Sequence, residues 1–121
     1  LRYQCPALSG GEAQRLKLAY EMETPQQGSV FVFDEPTIGL HPQDVKKLVL
    51  IFDHLIQLGA TVIVIEHDLE LVTNCDYIID MGPWGGTEGG RVVVEGTPEA
   101  VAATSESITG RYLKQELAED K

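Results

Sequence analysis

The sequence VFVFDEP, at residues 30–36, combines the features that decide the fold. Four apolar residues stand in a row, two of them β-branched and two aromatic, which is typical of a strand buried on both faces of a parallel sheet. The run ends at Asp34 and Glu35, and Pro36 then lacks the backbone donor that a longer strand would need. Because an ionised carboxylate without a partner is costly to bury, two of them at a strand end indicate a cation or a reacting group there.

The position of these carboxylates predicts a metal and nucleotide site. In open parallel sheets, ligands bind at the carboxyl ends of the strands. We therefore expect Asp34 to face a hydrated Mg²⁺ and Glu35 to face an attacking water. The alternative interpretation is a strand followed by a solvated acidic turn.

Composition narrows the class of protein. With 121 residues the chain is one domain or part of one, and its formal net charge of -10 makes it a poor main binding surface for nucleic acid. Cys5 and Cys75 show no metal-ligand spacing, which favours free thiols in a reducing cytoplasm, with a single disulfide left open. No apolar run approaches the roughly 20 residues of a membrane helix. The chain begins at Leu1 without a Met, so we expect a piece of a longer protein.

A helix is predicted upstream of the central strand. Ser9 and Glu12 form a capping box, from which a helix would run to about residue 22. Gly10 and Gly11 in its first turn each cost about 1 kcal/mol relative to Ala. That cost is understandable if a ligand must approach the bare backbone, since a helix N-terminus binds anions. An ordinary capping box would explain Ser9 and Glu12 but not the two glycines.

A second strand should lie beside the first. Apolar residues recur with helical spacing between Pro42 and Gly59, and residues 60–65 form another apolar strand that ends at Glu66, His67 and Asp68. Two strands joined by one helix make a right-handed unit with parallel strands, so both polar tips should share one edge. A lone His at a strand end is more often structural than catalytic, but the nearby carboxylate pair favours a functional His67.

The sequence after residue 67 predicts a series of short helices and strands. In order they are a helix over 68–74, a strand over 77–81, a glycine-rich loop over 82–90, a strand over 91–95 in a hairpin with the third, a helix from Thr97 to about 102, and a terminal helix over about 107–119.

Three motifs in this order resemble the ATP-binding cassette ATPases. LSGGEAQR at 8–15 matches their signature motif, FDEPT at 33–37 their Walker B motif with its catalytic Glu, and EHD at 66–68 their switch His. The loop TIGLH at 37–41 has His41 where most cassettes carry Asp, and in this it is similar to the UvrA family, the excinuclease ATPases of bacterial nucleotide-excision repair. The stretches at 79–86, 96–99 and 109–113 resemble that family too.

The resemblance implies an α/β fold, the C-terminal part of a P-loop cassette, with a largely parallel sheet, flanking helices and a terminal hairpin. Residues 1–121 would be a partial cassette domain, because the sequence contains no G-x-x-x-x-G-K-[ST] phosphate loop. The lead-in and the near-terminal position of the tail resemble the second cassette of the family more than the first. Glu35 and His67 would be catalytic, and Asp34 would contact Mg²⁺ through water. The residues implied to bind ATP are Ser9, Gly10, Gly11, Gln14 and Asp34.

The implied cofactors are ATP and Mg²⁺, with zinc expected only in parts of the parent absent from this sequence. The implied partners are the N-terminal part of the same cassette, the opposing cassette, a second copy in a homodimer, a UvrB-like protein and damaged DNA. No membrane is implied as a partner. Two alternatives come from other classes: the nucleotide-binding subunit of a transporter, and a non-catalytic dimerisation module. His41 and the glycine-rich loop argue against the transporter, and intact Glu35 and His67 argue against the module.

Overall fold

The computed structural model describes residues 25–82 and 90–119. The predicted signature residues Ser9, Gly10, Gly11 and Gln14, and most of the glycine-rich loop, lie outside these ranges. The described elements are β1 (Val30–Asp34), α1 (Pro42–Gln57), β2 (Thr61–Ile65), α2 (Leu69–Thr73), β3 (Ile78–Gly82), β4 (Arg91–Gly96), α3 (Pro98–Ala102) and α4 (Ile108–Glu119).

The chain divides into two compact units, Leu1–Asp68 and Leu69–Lys121. The described strands form two two-stranded sheets, one in each unit. β1 pairs with β2 in parallel, and β3 pairs with β4 in antiparallel orientation. The α/β class, the parallel strand pair and the downstream hairpin are therefore confirmed.

The first unit is a β1–α1–β2 arrangement with a well-defined helix. His41 is the N-cap of α1, where its Nδ1 accepts a hydrogen bond from the Gln43 N–H at 3.2 Å, and Pro42 follows in the first turn. The helix ends at Gln57, and Gly59 then takes a left-handed conformation with φ of 100°. A Cβ at Gly59 would lie 3.0 Å from a backbone atom of Gln27, so glycine is also required sterically.

The core of this unit lies on one face of the strand pair. The buried residues of α1 follow the predicted helical spacing, and Phe52 packs on Phe33 with ring centroids 4.8 Å apart. Phe31 stacks beside Phe33 at 6.2 Å. Within residues 25–68, the buried apolar residues are Phe33, Val45, Leu48, Phe52, Leu55 and Ala60.

The prediction that β1 is buried on both faces is wrong, and β2 is less buried than its apolar sequence predicts. Within β1 only Phe33 is buried, and β2 alternates, with Ile63 50% and Ile65 54% exposed. The reason is geometric: one helix can cover one face of a strand pair, and successive side chains point to opposite faces. Four apolar residues in a row therefore mark a strand with two apolar faces, of which α1 covers one.

The second unit packs its hairpin against α2, α3 and α4. Its core is formed by Val72, Ile78, Val101 and Leu113. Cys75 packs against this cluster and is a free thiol whose Sγ donates to the Val72 carbonyl at 2.9 Å. Burial raises the pKa of the Cys75 thiol, which makes it a poor nucleophile. Among the described residues, no helix is both long and apolar enough to cross a membrane.

Candidate functional site

The candidate site lies at the carboxyl ends of β1 and β2. The parallel register pairs Asp34 with Ile65, and the Glu35 N–H donates to the Ile65 carbonyl at 2.8 Å. The residues that follow the two strands, Glu35 and Glu66, therefore start from adjacent positions on the same sheet edge. This confirms that the polar tips of both strands share one edge.

Glu35 has an unusual backbone. Its φ is 49°, and among the described residues it is the one non-glycine residue with a positive φ. This left-handed conformation costs an L-residue about 1–2 kcal/mol, so the surrounding hydrogen bonds must hold it in place. The turn carries the Glu35 side chain away from the ladder, where it is 43% exposed. Such strain is a frequent feature of reacting groups.

His67 lies next to Glu35. Its Nε2 is 3.9 Å from Glu35 Oε1, and its side chain is 78% exposed. At this separation the two groups do not form a direct hydrogen bond, but one water molecule can contact both. The predicted catalytic pair is thus brought together by the structure. An exposed pair of this kind contributes little to stability.

Glu66, to which the sequence analysis assigned no role, has a more buried carboxylate than Asp34 and Glu35 on the same edge. Its side chain is 2% exposed. Oε1 accepts hydrogen bonds from the Thr37 N–H at 3.0 Å and from the Thr37 hydroxyl, and Oε2 accepts from the N–H groups of His67 at 2.9 Å and Asp68 at 3.1 Å. The same Oε2 lies 3.6 Å from His67 Nδ1.

The environment of Glu66 favours its ionised form. Burial acts to raise its pKa, but the hydrogen bonds from Thr37, His67 and Asp68 outweigh burial, and the pKa is lowered from its ordinary value of 4.5. A sequence signal for this residue did exist. Parallel pairing places Glu35 and Glu66 side by side, and two neighbouring carboxylates are destabilising unless one turns away and finds donors.

Asp34 presents an exposed carboxylate at the tip of β1. Within residues 25–82 and 90–119, no group of three or more His, Cys, Asp or Glu side chains is arranged to hold a metal ion. Mg²⁺ retains several waters and takes one or two carboxylates together with phosphate oxygens. A single exposed carboxylate beside Glu35 fits that mode of binding, and this donor set does not fit a metal held by protein ligands alone.

A second polar network explains other motif residues without invoking catalysis. In the second unit, Asp80 Oδ2 accepts from the Ser107 hydroxyl at 2.6 Å, and Oδ1 accepts from the Thr109 hydroxyl at 3.1 Å. The fully buried Ser107 also accepts from the Gly110 N–H at 2.8 Å, which caps the start of α4. Asp80 therefore joins β3 to the first turn of α4, and its role is structural.

Comparison with known proteins gives consistent matches. The chain is 49% identical over 122 residues to UvrABC system protein A from Staphylococcus aureus (strain COL), and 52% identical over 115 residues to UvrABC system protein A from Lactiplantibacillus plantarum. These alignments cover 100% and 94% of the chain, but 13% and 12% of the two relatives. No family model matches the sequence.

A solved structure agrees with these relatives. UvrA2 from Deinococcus radiodurans superposes with a TM-score of 0.75 at 48% identity, covering 89% of this chain and 13% of that one. The chain thus spans 13% of the length of the proteins that it matches. Sequence similarity along the whole chain and a shared fold agree with the motifs at residues 33–37 and 66–68. The chain therefore belongs to the UvrA family, in which it corresponds to one segment of a much longer protein.

Proposed function

We propose that this chain supplies the Walker B and switch-His groups of an ATP-binding cassette in a UvrA-type ATPase of nucleotide-excision repair. The observation that carries the proposal is the meeting of Glu35 and His67, 3.9 Å apart, at the tips of two parallel strands. An acid held in a left-handed turn beside an imidazole is suited to orienting a water for attack on a phosphate.

Each residue of the site has a separate task in this proposal. Glu35 orients or deprotonates the attacking water, since it directly follows the end of β1 and its side chain is 43% exposed. His67 contacts the same water or the terminal phosphate. Asp34 holds Mg²⁺ through water, and bound Mg²⁺ supplies the positive charge that offsets the phosphate oxygens.

The wider assembly is part of the proposal. The missing phosphate loop would come from the N-terminal part of the same cassette. Ser9, Gly10, Gly11 and Gln14 would contact ATP held by the opposing cassette, with a homodimer, a UvrB-like partner and damaged DNA engaged through the full-length protein in the cytoplasm. The net charge of -10 supports assigning DNA contacts to other parts of that protein. Zinc would also be bound by parts of the full-length protein outside this sequence.

The proposal is tested by two substitutions in the full-length protein that contains this chain. Glu35→Gln should bind ATP normally and lower turnover by about 10²–10⁴-fold, because a positioned base is lost while the nucleotide contacts remain. Asp34→Asn should instead raise the Mg²⁺ concentration needed for half-maximal activity. Nucleotide affinity and phosphate release are measured for both variants.

The matched control is Asp53→Asn, which removes one carboxylate from an exposed position on α1. It should leave affinity and turnover unchanged. Near-normal turnover by Glu35→Gln would overturn the proposed role of Glu35 and direct the search for the base to His67.

A further inference from the structure

We infer that Glu66 is the positioning residue of this site: one buried carboxylate fastens the loop after Glu35 to the turn that carries His67, and so sets the distance between these two groups. The inference rests on the proposed ATPase function. It adds to that function a residue that touches neither nucleotide nor water and acts through the chain segments that it joins.

The hydrogen bonds of Glu66 divide between two segments. Oε1 takes both donors of Thr37, which is 29 residues away along the chain, whereas Oε2 takes the backbone donors of His67 and Asp68. Each oxygen therefore serves one segment. Since Glu66 itself belongs to the segment that carries His67, the two bonds to Oε1 are the ones that join this segment to the loop of Thr37.

The loop on the Thr37 side is held at two points. The Glu35 N–H bonds to the Ile65 carbonyl at 2.8 Å, and the Thr37 N–H bonds to Glu66 Oε1 at 3.0 Å. Adjacent residues of β2 and its extension thus hold both ends of the short turn in which Glu35 adopts its positive φ. The bonds from Thr37 help to maintain the strained turn, because without them the chain could relax to a lower-energy conformation.

The turn on the His67 side depends on Glu66 in another way. The imidazole is 78% exposed, so packing restrains it little. Its backbone N–H and its Nδ1 lie 2.9 Å and 3.6 Å from the same Glu66 oxygen. The Glu66 carboxylate thus holds the backbone of the turn and lies close to one ring nitrogen, while the other ring nitrogen, Nε2, faces Glu35 at 3.9 Å.

Glu66 is not itself a base. Its side chain is 2% exposed, and each of its oxygens already accepts two hydrogen bonds. The environment lowers its pKa, which weakens it further as a proton acceptor. Hydrogen bonds to an ionised acceptor are about twice as strong as neutral ones, so the arrangement is suited to holding geometry.

The test uses the full-length protein and separates kcat from KM. Glu66→Gln keeps the shape of the side chain but turns one of its two acceptor oxygens into a donor, which cannot bond to N–H groups. We expect kcat to fall by about tenfold or more and KM to change by less than about threefold, as for a residue that sets the geometry of a reaction. Glu95→Gln, at an exposed position on β4, is the matched control and should leave both constants unchanged.

Thr37 provides a second route to the same conclusion. Thr37→Val removes the hydroxyl donor while conserving shape, and should lower kcat less than Glu66→Gln does. Thr37→Ser retains a hydroxyl donor at this position and should therefore keep the normal kcat. Both substitutions weaken the same connection, the hydrogen bonding between Thr37 and Glu66. The double variant Glu66→Gln with Thr37→Val should therefore lose no more activity than Glu66→Gln alone.

The outcomes distinguish the inference from the function on which it rests. If Glu35→Gln leaves turnover intact, the proposed function fails. If Glu35→Gln abolishes turnover while Glu66→Gln and Thr37→Val keep the normal kcat, the function stands and the positioning role of Glu66 is overturned. Fully additive losses in the double variant would also overturn it. If Glu66→Gln fails to fold, the two Thr37 variants are compared instead. A lower kcat for Thr37→Val than for Thr37→Ser supports the positioning role, and equal kcat values overturn it.

Discussion

Glu66 links the ionisation of one side chain to the stability of the fold. A carboxylate that is 2% exposed would be costly without donors, yet this one accepts hydrogen bonds from three residues. Its folded-state pKa is below the ordinary value of 4.5. Its stabilising contribution is therefore fully present above that value and is lost as the pH falls through the lower, folded-state pKa.

This linkage predicts the acid sensitivity of a variant. Glu66→Gln should be less stable than the original protein at about pH 7, and the difference in free energy of unfolding should shrink as the pH is lowered below 4.5 and through the folded-state pKa of Glu66. Denaturant unfolding of both proteins at a series of pH values measures this difference in free energy. Glu95→Gln, which removes the same formal charge from an exposed site, is the comparison. A difference that stays constant with pH would contradict the role of the ionised carboxylate.

Glu35 offers the opposite relation between stability and function. Its φ of 49° is unfavourable for Glu and acceptable for Gly. We expect Glu35→Gly to leave the free energy of unfolding unchanged or to raise it by up to about 1 kcal/mol, although the side chain proposed to act in catalysis is gone. Thermal unfolding of Glu35→Gly beside Glu35→Ala checks this, since Ala retains the unfavourable conformation. Equal stability of the two variants would show that the turn is not strained.

The elements of the second unit approach one another closely at Gly110. A Cβ there would lie 2.2 Å from the Val101 carbonyl oxygen, a separation that no side chain can occupy. Gly39 makes a useful contrast, because its φ of 78° disfavours a side chain while no atom lies within 4 Å of a Cβ built there. One glycine is required by contact and the other by conformation alone.

This contrast gives an ordered prediction. Gly39→Ala should cost about 1 kcal/mol of unfolding free energy, as an Ala in the left-handed region does. Gly110→Ala should cost about 3 kcal/mol or more, because α3 and α4 must move apart to admit a methyl group. Denaturant unfolding of both variants compares them. Equal costs would mean that α4 can shift at little expense.

Local patterns predicted most of these elements. The apolar spacing between Pro42 and Gly59 gave α1 with its cap and stop, and the polar ends of β1 and β2 placed Glu35 near His67. Burial was not predictable, because an apolar strand does not reveal how many layers cover it. The role of Glu66 was missed because it depends on register and on the turn made by Thr37, which are properties of two segments 29 residues apart.

The charge of the whole molecule bears on what this chain can do by itself. Nineteen acidic residues against nine basic ones repel both ATP and nucleic acid, since each is a polyanion. The site residues Asp34 and Glu35 add two negative charges where a triphosphate would lie. In the proposed function, binding of ATP would therefore require positive groups from outside this chain, together with Mg²⁺.

The isolated 121-residue chain should accordingly not hydrolyse ATP. Its sequence contains no G-x-x-x-x-G-K-[ST] motif, whose backbone N–H groups and Lys hold the β- and γ-phosphates, so the water-orienting group Glu35 has no positioned substrate. Steady-state phosphate release is measured for the chain and for its Glu35→Gln variant, which reports any contaminating ATPase. Equal rates are expected, and turnover above the variant would contradict the prediction. A longer protein that adds a preceding phosphate loop should gain a rate that Glu35→Gln removes, because Glu35 and His67 are already 3.9 Å apart at the sheet edge.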